Sequence, residues 1–166
     1  MIIKVGNFSA PLTAPPTAVA TGTSTKTLLQ VNSSNKAEIV RWGISFDGFV
    51  AAAPGKVELI EVDVAATVTA LTAADCSKID SPGNDGAAVG TVGLNFSTST
   101  TGFTASAEGT PTVARVLDTQ LLPPTGPYVY EFPLGSRPVL QATKYLRIRV
   151  TFGTSVNAIC WVDLNI

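Results

Sequence analysis

Residues 145–166 read YLRIRVTFGTSVNAICWVDLNI, and their alternation decides the fold class. Leu146, Ile148, Val150 and Phe152 alternate with Tyr145, Arg147, Arg149 and Thr151. Further on, Val156, Ala158, Cys160, Val162, Leu164 and Ile166 alternate with Asn157, Ile159, Trp161, Asp163 and Asn165. A period of two puts successive side chains on opposite faces, as in a strand with one face in a core. Gly153-Thr-Ser155 between the two runs predicts an antiparallel hairpin.

Working outward, the same signal recurs along the chain. TKTLLQVN (25–32) is β-branched and apolar, and an Asn-Ser-Ser-Asn turn follows it. AEIVRWGISF (37–46) sets Val40, Trp42, Ile44 and Phe46 against Ile39, Arg41, Gly43 and Ser45, and Asp47-Gly48 ends it. VELIEVDV (57–64) slips in phase near Leu59-Ile60, which predicts a bulge or burial on both faces. Further strands are expected at 92–97, 113–122 and 128–132. Residues 65–79 read as strand, loop or one short helix capped by Thr72. Residues 98–112 read as a long polar loop without a core pattern. The whole predicts an all-β chain, an antiparallel β-sandwich or jelly roll of about eight short strands.

Residues 1–24 are set apart as an extended N-terminal arm, and 25–166 as the sandwich domain. Pro11, Pro15 and Pro16 lie in a Pro-, Thr- and Ala-rich stretch that favours extended backbone without internal hydrogen bonds. It is read either as a frayed terminus or as an arm draped over a neighbouring subunit, with residues 1–5 apolar enough to anchor as a short strand. On this reading, deleting 1–24 leaves a folded sandwich. The opening MIIKVGNFSAPLTAPPTAVA imitates a signal peptide but is interrupted by prolines, so it is read as part of the mature protein.

Composition narrows the function classes. Charged residues make up 14% of the chain, against about 25% in ordinary domains, so much of the surface sheds water at little cost when a partner docks. The net charge is −1 and no basic cluster exists, which argues against nucleic-acid binding. No apolar run approaches the ~20 residues of a membrane span. Cys76 and Cys160 form no metal or redox motif and read as buried hydrophobes or, less simply, as a pair.

The chain contains no histidine, the commonest general base. No nucleophile elbow and no phosphate-binding glycine loop is present. Paired carboxylates are the remaining catalytic route. Glu58 and Glu61 should lie on opposite strand faces, and Glu61 and Asp63 on one, where a solvated strand face explains them better. Asp80-Ser-Pro-Gly-Asn84-Asp85-Gly86 lacks the spacing of a calcium loop and reads as a turn. No cofactor is implied.

What remains are interface candidates. Arg147 and Arg149 project from one strand face beside Tyr145, and arginine forks suit docking surfaces. Glu61 and Asp63 are their expected partners, within the chain or across a subunit boundary. Trp42 is expected in the core. Trp161 is the better exposed aromatic, either as a sugar platform or an interface anchor. Phe103 completes the set, as the large apolar residue of the 98–112 loop.

The succession IVRWGISFDG (39–48), VELIEVD (57–63) with its Thr/Ala-rich continuation, YVYEFPLGSRPVL (128–140) and 145–166 resembles a group of small virion proteins of tailed bacteriophages. Several β-sandwich proteins of this style are head decoration, or cement, proteins. The resemblance covers roughly residues 25–166 and carries no site motif, so no functional residue is transferred. It implies a structural protein on the outer surface of the phage head, made in the host cytoplasm. Its partners would be the major capsid protein and itself, as a homotrimer, with the arm and the 98–112 loop reaching across subunits. The rival reading is a tail or fibre module that binds a surface glycan or another virion protein.

Overall fold

The computed structural model describes residues 1–8, 15–49, 52–80 and 93–166. Alternation along each strand drives one face inward, and the strands sort into two antiparallel sheets over a shared core. Thirteen strands occur among the described residues. They are β1 (Ile2–Gly6), β2 (Val19–Ala20), β3 (Lys26–Asn32), β4 (Ala37–Phe46), β5 (Gly55–Val62), β6 (Thr67–Ala70) and β7 (Ser77–Lys78). Then follow β8 (Gly102–Ala107), β9 (Ala114–Leu122), β10 (Tyr128–Glu131), β11 (Val139–Leu140), β12 (Tyr145–Thr151) and β13 (Asn157–Asn165).

The seven-stranded sheet runs β10-β4-β13-β1-β7, with β11 also on β4 and β2 on β13. The six-stranded sheet runs β6-β8-β3-β12-β5-β9. Between them lie Trp42, Ile44, Val162 and Leu164 from one sheet and Leu29, Leu59, Ile148 and Val150 from the other, all buried. The ambiguous 65–79 segment resolves into β6, one 3-10 turn over Ala73–Asp75 and β7. Thr72 heads that turn, its N–H and hydroxyl both donating to Asp75 Oδ2 at 2.7 Å.

Four expectations are corrected. First, β12 and β13 are not a hairpin, because they sit in different sheets. Phe152 and Val156, which flank the turn, are both buried, so the connection folds over the rim of the core. Alternation says which face is inside, not which strand is the neighbour.

Second, residues 1–24 are not all arm: the apolar residues 1–5 form the short strand expected of them, but that strand is internal to a sheet. β1 lies between β13 and β7, and Ile3 and Val5 are fully buried. Alternation over five residues is enough to seat a strand once β13 offers it a ladder. Further on, β2 adds to the start of β13.

Third, the 98–112 stretch contains β8, which bridges β3 and β6. Its strand signal is masked by small residues. Gly102 lets the backbone of β6 approach, since a Cβ there would stand 2.3 Å from the Thr69 carbonyl oxygen. Thr104 takes φ +53°, a backbone setting rare for a β-branched residue. Conversely, the strand expected at 92–97 is reduced to isolated bridges, Leu94 to Ser33 and Phe96 to Thr101.

Fourth, thirteen strands replace about eight. The surplus is mostly short: β2, β7 and β11 have two residues each.

Candidate interaction faces

The arginine face of β12 is where the sequence placed the interface. Register pairs Arg147 with Gln30 of β3 and Ile60 of β5, on the side of the six-stranded sheet away from the core. That side is covered. Arg147 is fully buried. Its Nε donates to Gln30 Oε1 at 3.1 Å, its Nη1 to the Glu108 carbonyl at 3.0 Å, and its Nη2 to the Val64 carbonyl. Glu108 returns to Thr27, accepting from its N–H at 2.5 Å and its hydroxyl at 2.6 Å, and lies 3.4 Å from Nη1. Burial lowers the Arg147 pKa from the usual arginine value. Arg147 is therefore an internal clamp that ties residues 64 and 108 onto the sheet, and it is not available for docking.

Arg149 is partly exposed and engaged within the chain. Its Nε donates to Glu58 Oε2 at 2.9 Å, and Lys56 stands 3.4 Å from the other oxygen. The expected partners Glu61 and Asp63 serve elsewhere. Glu61 accepts from Arg115 Nη2 at 3.0 Å and from the Gln141 N–H at 2.8 Å. Asp63 accepts from the N–H groups of Thr112 and Val113 and from the Thr112 hydroxyl. These contacts hold its pKa down at about 2. Glu58 and Glu61 do lie on opposite faces, paired with Arg149 and Leu146 respectively.

The other named residues scatter. Tyr145 is half-buried at the start of β12. Phe103 is half-buried and packs on the core from β8, so it is not a loop contact. Pro15 is exposed and Pro16 half-buried, while Pro11 lies outside the described residues. Residues 81–92, which hold most of the turn weighed as a calcium loop, also lie outside them; Asp80 accepts from the Ile2 N–H at 2.8 Å. Cys76 and Cys160 are buried free thiols, and burial pushes Cys76 up to about 12 and Cys160 upward as well.

Trp42 is core, as its face implied. Its Nε1–H donates to Asp118 Oδ2 at 3.2 Å, and the Tyr128 hydroxyl donates to the same oxygen at 2.8 Å. Burial, and then Asp118, pushes Tyr128 up to about 12. Asp118 on β9 thus ties the two sheets together at one edge.

Trp161 lies on the outer face of the seven-stranded sheet, in a setting the sequence did not reveal. Register aligns Lys4, Asp163, Arg41 and Glu131 in one row across β1, β13, β4 and β10. The charges alternate in sign. Asp163 is fully buried beneath its neighbours, with Arg41 Nε at 2.5 Å from Oδ2 and Lys4 Nζ at 3.7 Å from Oδ1. The hydrogen bond to Asp163 raises the Arg41 pKa.

The next row is Gly6, Trp161, Gly43 and Val129. The glycine beside it gives the indole room to lean along the sheet. Lys4 Nζ stands 3.8 Å from its ring centre and the Arg41 guanidinium 5.5 Å. Trp161 is half-buried, with two cations over its ring, so it sits within a charged face.

Apolar side chains are exposed along the neighbouring rim, where β9 and β10 end their sheets. Val116, Leu121 and Val129 are each more than half exposed. Among the described residues, no three His, Cys, Asp or Glu side chains are grouped to hold a metal ion, and no helix is long and apolar enough to cross a membrane. No family model, curated protein or solved structure matches this chain.

Proposed function

We propose that this chain is a structural virion protein of a tailed phage, a head decoration protein that binds the capsid exterior and clamps neighbouring major capsid subunits. The observation that carries the reading is the strand order. Rows β1-β13-β4-β10 and β3-β12-β5-β9 match the two four-stranded walls of a jelly roll. Successive members of this set change sheet at every step except β5 to β9. Jelly rolls recur in viral capsid and lectin domains.

The surface supports the same reading. It is sparsely charged, its β9–β10 rim exposes valine and leucine, and Arg41 and Arg149 on the sheet faces are paired within the chain. Such a surface serves association better than turnover. A trimer engaging several capsid subunits would gain strength from high local concentration. The reach-out elements are narrower than the sequence implied: with β1 and β8 in the sheets, the exposed Pro15 region is the remaining candidate arm.

The test is addition of purified protein to phage heads lacking their exterior proteins. Bound density on the outer surface in cryo-EM, with heads that resist heating better, is the expected result. Heads that stay bare and equally fragile would overturn it. The lectin-like use of the same strand order keeps the second reading, a tail or fibre glycan module. A glycan array bound by the wild type and lost in Trp161→Ala would favour that one.

A further inference from the structure

We infer that copies of this chain join head to tail through the charge row of the seven-stranded sheet, the β10 edge of one copy seating on the Lys4–Trp161 region of the next. The row has a direction. It begins with a cation, Lys4, and ends with an anion, Glu131, at the strand that terminates the sheet. Its inner members satisfy each other, because Asp163 is buried and Arg41 bonds it through Nε.

Its ends are less enclosed: Lys4 is paired with Asp163 and lies over Trp161 but keeps part of its side chain at the surface. Glu131 is exposed, and among the described residues it makes no ion pair, although Arg41 is its register partner. Lys4 is partly exposed, 3.7 Å from an Asp163 oxygen that accepts no hydrogen bond. The two charged residues of β9, Arg115 and Asp118, are already engaged by Glu61, Trp42 and Tyr128. The β10 edge therefore offers one negative charge that makes no ion pair, although Arg41 feels it across the row, with exposed Val129 on the same face. The β1–β13 region offers Lys4 over a half-buried indole.

Carboxylate to ammonium and apolar rim to indole are complementary, and Trp with a cation is the usual composition of an interface centre. The two patches differ, so the contact is heterologous, and a heterologous contact that closes makes a ring. A second copy is the occupant because the same molecule carries both halves. The inference rests on the self-association in the reading above and not on its virion setting.

Cysteine pairing tests it on the whole chain. Lys4 and Glu131 lie three strand spacings apart, about 14 Å, beyond the reach of a disulfide within one molecule. The native thiols are buried and stay out of the reaction. Lys4→Cys with Glu131→Cys should give covalent dimers and trimers under mild oxidation on a non-reducing gel, and neither single variant should. A double variant that remains monomeric, or a single variant that cross-links to itself, overturns the inference.

Light scattering gives a second reading without cysteines. Val129→Asp and Glu131→Lys, both at exposed sites, should weaken self-association roughly tenfold or more. Thr67→Asp on β6 should leave it unchanged. Equal assembly in all three overturns the contact. A ring that assembles as described but leaves phage heads bare would sink the decoration role alone, and a monomer that binds heads would sink this contact alone.

Discussion

Trp161 leans over Gly43, its register partner, so closely that a Cβ on Gly43 would stand 2.7 Å from the indole Cζ2. The glycine is required by the ring and not by backbone conformation. Gly43→Ala should push the indole out from between Lys4 and Arg41 at a cost of about 1–3 kcal/mol. Urea denaturation would measure the loss, and a red shift of the Trp161 emission would report the exposure. Trp42, buried in the core, should not contribute to that shift.

Two arginines two residues apart should respond very differently to the same change. Arg147→Met leaves the carboxylate of Glu108 and the amide of Gln30 without their buried partner, and should cost about 3–5 kcal/mol. Arg149→Met loses one partly exposed pair with Glu58 and should cost no more than about 1 kcal/mol. Thermal melts of both variants check the contrast, and equal losses would contradict the internal role of Arg147.

The segment that carries Glu108 should loosen in acid before the sheets do. Folding depresses the Asp63 carboxyl from 3.8 to about 2 through its bonds to Thr112 and Val113. Its contribution is present above the unfolded value and fades as pH falls through about 2. Hydrogen exchange at the Thr112 and Val113 amides should quicken over that window. Asp63→Asn should quicken it at neutral pH as well.

Neither thiol should react in the folded protein. Both are buried and both are pushed toward the protonated form, so the nucleophilic thiolate is scarce. Ellman titration should find no thiol in native buffer and two in denaturant. A native count of two, or a denatured count of zero, would contradict this placement.

Removal of residues 1–24 should unfold the chain instead of trimming an arm. It takes a strand from between β13 and β7 and leaves the space of Ile3 and Val5 empty. Ile3→Ala alone should cost about 2–5 kcal/mol. Circular dichroism of the truncated chain gives the answer, with loss of the cooperative melt expected.

The sequence by itself determined the all-β class, the inward faces of β12 and β13, the core position of Trp42 and the slip near Leu59-Ile60, where the pairing of β5 with β9 shifts register. These follow from local alternation, which each strand carries in its own residues. On β4 the alternation placed Val40 inward and Ile39 outward, but a register shift against β13 puts Ile39 into the core opposite Leu164. Only the tertiary structure decided what surrounds each polar face. Arg147 and Arg149 read alike in sequence, yet one is sealed by Glu108 and Val64 and the other is not. The row from Lys4 to Glu131 joins residues 127 positions apart, and no single strand contains more than one of its members. Period two fixes the side of a residue; sheet order and register fix its neighbours, and those depend on long-range pairings that no local stretch encodes.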